Sequence, residues 1–326
     1  MKKTIFLHLG YPKTGTTFLQ REIFCKTKDL IYLGKSDNYR TATVLDLVVN
    51  ELRTIGDNRF NKNISSYVDR IKSIIDIYPY GNKFVYSNEV LLQQLFCPNL
   101  TTVNLIERLL HLLKLTGFSV FLLATDRNKA DLISSWYSEA PHHFSGYCPR
   151  WDSFDSFKED LFQRTSDQTV SSFIESLKLE KIKKKLSINS DEFLILSFEC
   201  FQNNFPSYHE QLIAFMRIRA QDIKITNTKK INSSIFKDSK RHVKQYNPTI
   251  PELIARFMPY KLKKNLPFPI KKILFKYRDR TENFFAYNKF MRALANLIQN
   301  IFLKKNTSQI YFTDSEREFL ENIFKN

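Results

Sequence analysis

The chain has 326 residues, of which 43% are hydrophobic and 25% charged, and it carries a formal net charge of +17 at pH 7. This is the composition of a soluble globular protein with a substantial core, and the length allows one large domain or two small ones. No run of about 18 apolar residues occurs, which argues against a transmembrane helix, and Cys25, Cys97, Cys148 and Cys200 lie apart, without metal-ligand or disulfide-scaffold spacing.

The chain opens with MKKTIFLHLGYPK, a basic pair followed by a short apolar run. Pro12 and Lys13 end that run and no small-residue cleavage site follows, so the expectation is a cytoplasmic protein with reduced thiols rather than a secreted one. Thr4 to Leu9 reads as a strand, and Phe18, Leu19 and Ile23 recur at helical spacing over residues 16–25. Between them stand Gly10 and Gly15, two of only 7 glycines in the chain. Glycines placed so closely in a glycine-poor sequence predict a tight turn or a close approach of backbone to ligand. A strand, a glycine-bearing loop and a helix aim backbone N–H groups and a helix N-terminus at one point, which suits an anion.

Further strands are predicted near 83–87, 118–124 and 192–197, and helices near 41–54, 62–77, 100–115, 128–139, 153–163 and 168–184. The alternation predicts an α/β fold, a P-loop-like three-layer domain with a central, mainly parallel sheet flanked by helices. Ligands of such sheets sit outside the carboxyl ends of the strands, where the glycine loop lies. Residues 224–305 differ in character. They hold 20 Lys and Arg against 4 Asp and Glu, which is most of the net charge, and prolines interrupt their helical patterns. We expect a single domain over 1–326, with 224–305 a basic, largely helical extension or insertion within it. The stretch YFTDSEREFLENIF predicts a short capped helix, with Thr313 or Asp314 as N-cap.

A Walker A loop has the pattern G-x-x-x-x-G-K-[ST]; here Gly10 and Gly15 keep the spacing, but Thr16 stands at the lysine position and Lys13 lies inside the loop. A lysine so placed addresses a different, shorter anion than a triphosphate. HLGYPKTGTTFLQ closely resembles the 5′-phosphosulfate loop of the sulfotransferases that use 3′-phosphoadenosine 5′-phosphosulfate (PAPS), most of all their bacterial and carbohydrate-modifying branch. The resemblance implies that Lys13, Thr14, Gly15, Thr16 and Thr17 hold the donor and that PAP, its desulfated form, is a product. It implies a second element as well, an arginine at a strand end and a serine eight residues later for the 3′-phosphate, and FLLATDRNKADLISSWY offers Arg127 and Ser135. Lys129 stands where a proline is frequent in the family. FLILSFECFQNNFPSYHEQLIAFM resembles the family's later strand and helix, with Glu199 structural rather than catalytic. TKKINSSIF resembles a following region from which Lys229 or Lys230 would approach the nucleotide.

Sulfuryl transfer to a hydroxyl needs a base for the acceptor proton and a cation for the leaving oxygen. Lys13 fits the second role. Glu89, just past the strand 83–87 in KFVYSNEVLLQQL, resembles the glutamate of a Ser-x-Glu motif in carbohydrate-type relatives and is the expected base; His142 and His143 are the alternatives. A glutamate that only complements a helix N-terminus, with Ser87 or Asn88 as cap, is the plain structural reading of the same residue. His8 reads as packed, and no metal is expected. The expected acceptor is a sugar hydroxyl of a bacterial surface glycan or glycolipid precursor. Two other functions stay open: a P-loop kinase-type phosphotransferase, and a non-enzymatic membrane- or nucleic-acid-binding protein defined by the basic segment. Under the sulfotransferase reading no nucleic acid is expected, and residues 250–305 form a homodimer contact or dock on an anionic membrane surface.

Overall fold

In the computed structural model the described residues are 3–34, 43–96, 100–163, 166–219 and 310–325. Apart from Ile310 they belong to one compact unit, which joins the amino-terminal part of the chain to the residues from Tyr311 onward. The basic segment 224–305, including Lys229 and Lys230, lies outside the described residues.

The sheet has five strands in the order β2-β3-β1-β4-β5, all parallel: β1 (Thr4–His8), β2 (Ile31–Tyr32), β3 (Lys83–Ser87), β4 (Ser119–Asp126) and β5 (Glu192–Ser197). The three inner strands are buried almost end to end, as a parallel sheet covered on both faces requires, which is why they read as apolar runs. Register places Thr4 beside Lys83 and Ser119, and His8 beside Ser87 and Leu123. The chain leaves β1 toward β2 and leaves β4 toward β5. These neighbouring strands therefore send their connections in opposite directions, and a crevice opens between them at their carboxyl ends.

One face of the sheet packs Phe6, Val85 and Phe121 against Phe18, Phe24, Leu212 and Phe215. The rings of Phe6 and Phe121 lie 5.3 Å apart and those of Phe6 and Phe215 5.8 Å, the spacing of favourable aromatic pairs. The helices are α1 (Thr16–Phe18), α2 (Val44–Leu52), α3 (Asp57–Ile77), α4 (Thr102–Leu115), α5 (Lys129–Glu139), α6 (Pro141–Tyr147), α7 (Phe154–Gln163), α8 (Gln168–Leu177), α9 (Leu179–Leu186), α10 (Phe198–Asn203), α11 (Phe205–Met216) and α12 (Asp314–Lys325). A second aromatic cluster fixes α5 and α6: the Phe144 ring lies 5.2 Å from Trp136, 4.8 Å from Tyr137 and 5.2 Å from Phe157.

Four expectations need correction. The first helix continues beyond α1 as a π-helix over Leu19–Phe24. Residues 168–184 are not one helix, because Lys178 takes a non-helical ψ of 77° and separates α8 from α9; each helix keeps its own helical spacing of buried residues, with Leu177 and Leu179 only two positions apart across the break. The helix expected at 62–77 starts earlier, at Asp57. A strand at 31–32 was not expected, since two residues are too short to show a period.

Candidate active site

The loop after β1 is held at its base by β4. Leu9 donates to the Leu123 carbonyl (2.8 Å), Thr125 to that of Gly10 (3.1 Å) and Tyr11 to that of Thr125 (3.3 Å). Three residues then take left-handed backbone angles: Gly10 (φ 92°), Lys13 (φ 63°) and Gly15 (φ 81°). Gly10 is required twice over, because a Cβ there would also lie 3.1 Å from the Cα of Glu89. Lys13 is a non-glycine residue in the left-handed region, a conformation that costs about 1–2 kcal/mol and concentrates at functional sites. No backbone carbonyl among the described residues accepts from the amides of Thr14, Gly15, Thr16 or Thr17. The Thr14 hydroxyl donates to the Tyr11 carbonyl (2.6 Å) and stiffens the turn.

β3 delivers Glu89 to the same place. Asn88 extends the ladder by donating to the His8 carbonyl (3.1 Å), and its side chain donates to the Tyr86 hydroxyl (2.7 Å), which donates to Asp46 (2.9 Å) on α2. Glu89 follows at the start of a short 3₁₀ turn, half-buried, and Thr16 Oγ1 donates to its Oε1 (2.8 Å). Glu89 thus stands in the first turn of that 3₁₀ helix and also contacts Thr16 at the end of the loop.

β4 delivers Arg127, whose Nη1 donates to the Lys13 carbonyl (2.9 Å) while its guanidinium lies 4.8 Å from the centre of the Phe198 ring. Asn128 then caps α5, its side chain accepting from the Asp131 amide. Ser135 is half-buried on α5, one helical turn before Glu139, so the two share a face. That face meets the loop, because Glu139 forms an ion pair with Lys13 Nζ. Neither Glu139 nor Phe198 was expected from sequence; the signal for Glu139 is its position four residues after Ser135. Thr17 is half-buried beyond Thr16.

The remaining residues have other tasks. Glu199 accepts from the Asn128 amide (2.9 Å) and the Ser197 hydroxyl (2.9 Å), which braces the turn after β4. His8 is fully buried, and burial pushes its pKa down to about 3, so it is neutral; its Nδ1 lies 2.7 Å from Ser87 Oγ, which also accepts from Gln20 (3.0 Å). His142 and His143 lie on α6, and the His143 amide donates to the Ala140 carbonyl (3.0 Å); the side chain of His142 lies outside what is described. No group of three His, Cys, Asp or Glu that could hold a metal ion occurs among the described residues. Nor, among them, is any helix long and apolar enough to cross a membrane.

Fold and site together define a P-loop-like α/β protein whose glycine loop keeps its lysine inside the turn. No protein-family model matches the chain, and no curated protein matches its sequence. Among solved structures it is similar to a sulfotransferase from Alicyclobacillus acidocaldarius, at 14% identity over 72% of this chain and 87% of that one, with a TM-score of 0.40. A mouse sulfotransferase complexed with PAP is similar at 16% identity over 68% of this chain and 62% of that one, with a TM-score of 0.35. A component of the PezAT toxin-antitoxin system of Streptococcus pneumoniae is similar at 12% identity over 68% and 81%, with a TM-score of 0.31. At such values the likeness adds nothing to the reading of the site, which stands on the geometry above.

Proposed function

We propose that the protein is a sulfotransferase that moves the sulfuryl group of PAPS to a hydroxyl acceptor. The observation that carries this reading is the convergence of Lys13, Glu89 and Arg127 on one glycine loop at the carboxyl ends of β1, β3 and β4. The residues fit a donor with two anionic ends. The backbone amides of Thr14 to Thr17 and the Lys13 ammonium would cradle the phosphosulfate, and a Cβ at Gly10 would press on the Glu89 backbone. Arg127 and the Ser135 hydroxyl would take the 3′-phosphate, a guanidinium and a hydroxyl being suited to one phosphate.

The donor supplies a sulfuryl group already activated, so no metal is needed to make it reactive. Lys13 places positive charge at the oxygen where negative charge develops on departure. The Glu89 carboxylate takes the proton of the acceptor hydroxyl, and its bond from Thr16 holds it at the edge of the loop. The acceptor in this reading is a sugar hydroxyl of a surface glycan or glycolipid precursor, a choice supported by the resemblance of the Ser87–Asn88–Glu89 stretch to carbohydrate-type relatives.

Calorimetry with PAP tests the proposal. The wild-type chain should bind it; Lys13→Ala should abolish turnover with PAPS, and Arg127→Ala should chiefly weaken PAP affinity. Absence of PAP binding by the folded wild type overturns the reading.

A further inference from the structure

The Lys13 ammonium already has an anionic partner. Glu139, the last residue of α5, reaches it with its carboxylate. The two ends of this ion pair differ in freedom. Glu139 has a side chain 59% exposed and can turn into solvent and be rehydrated, whereas Lys13 is only 27% exposed, sits at a left-handed φ of 63°, and has its carbonyl held by Arg127. An anion that uses Lys13 therefore displaces Glu139, not the reverse.

We propose that Glu139 is a selectivity residue, an internal competitor that keeps simple inorganic anions off Lys13 and yields to a ligand with a second anchoring point. The inference rests on residues 13–17 being an anion cradle, as proposed above. The physical reason is the effective concentration of a tethered group. A carboxylate carried on the same fold competes as though present at millimolar level or above, on the order of what a short tether provides. A free phosphate or sulfate, whose contacts end at the loop, must outcompete it unaided. A nucleotide whose other phosphate is held at Arg127 brings its second anion to Lys13 as a tethered group too, and the contest becomes even. Because Ser135 lies on the same face of α5 as Glu139, a ligand engaging Arg127 and Ser135 arrives beside the carboxylate it must move.

The probe is inorganic pyrophosphate, titrated calorimetrically into the full chain as wild type, Glu139→Gln, Glu139→Asp and Glu139→Gln with Lys13→Ala. Glu139→Gln should bind pyrophosphate at least about tenfold more tightly than wild type, because the amide removes the carboxylate charge that competes for the ammonium. Glu139→Asp, which keeps the charge on a shorter arm, should fall between them, and the gain should vanish in the double variant. Equal pyrophosphate affinity in wild type and Glu139→Gln, or a gain that survives the loss of Lys13, overturns the proposal. Should Glu139→Gln fail to fold, the order of wild type and Glu139→Asp decides in the same way. PAP titrated in parallel separates this idea from the donor reading: failure of every variant to bind PAP overturns that reading, while the pyrophosphate series still decides on Glu139.

Discussion

Glu89 and Gly10 are the residues on which the site's chemistry turns, and each can be tested alone. Glu89→Gln keeps the shape and the bond from Thr16 while removing the basicity, so turnover with PAPS should fall by about 10²-fold or more with PAP affinity nearly unchanged, as expected for loss of a general base. Turnover close to wild type would move the role to the histidines of α6. Gly10→Ala asks an L-residue to hold a φ of 92° with its methyl 3.1 Å from the Glu89 backbone. It should destabilise the fold by about 1–2 kcal/mol or more in urea titrations and displace Glu89; a variant with unaltered stability and activity would refute the assigned packing of loop against β3. Both residues stand out in the sequence, one as a rare glycine and one within Ser87–Asn88–Glu89. Their contact does not, because 79 positions separate them and only the pairing of β1 with β3 brings them together.

At the scale of elements, β1 and β3 are tied to the helix after the loop by His8, Ser87 and Gln20. Burial sets the consequence for pH. The pKa of His8 drops from 6.5 to about 3 in the folded state, so above pH 6.5 the ring is neutral folded and unfolded alike. Below pH 6.5 only the unfolded chain takes up the proton, and stability declines as pH falls toward 3, by up to about 1.4 kcal/mol per pH unit. Urea melts between pH 7 and pH 5 should show this slope in the wild type and a shallower one in His8→Asn; equal slopes would mean that the ring is not held neutral by burial. The inner strands were legible because a parallel sheet buried on both faces leaves uninterrupted apolar runs. β2 and the break at Lys178 were not, since two residues show no period and the apolar spacing on either side of the lysine is helical in its own right.

For the whole molecule, the charge is the open feature. Residues 224–305 carry 20 Lys and Arg against 4 acids, and apolar residues from Phe284 to Phe302 recur every three to four positions, the pattern of an amphipathic helix. We propose that this segment docks on an anionic membrane surface and so brings the site to a lipid-linked acceptor, each basic residue near the surface adding about 1 kcal/mol. Vesicle co-sedimentation should show binding that needs anionic lipid, weakens with salt and falls when the lysines of 261–278 are replaced. Equal binding to neutral vesicles, or none at low salt, leaves packing against the protein itself or a second subunit as the role of the apolar stripe.

The amino-acid sequence by itself determined the α/β class, the inner strands and the glycine loop, because each is a local matter of period, burial run or backbone freedom. It also singled out Lys13, Glu89, Arg127 and Ser135, through short patterns whose members lie near one another in the chain. What only the tertiary structure decided is which of these groups meet, and through what. Thr16 bonds to Glu89 across two strands, Arg127 holds the Lys13 carbonyl across 114 positions, and Glu139 reaches the Lys13 ammonium from the end of α5. Such contacts follow from strand order and from the side of the sheet to which each helix returns, and those are settled by how the apolar faces pack together rather than by any one stretch of the chain.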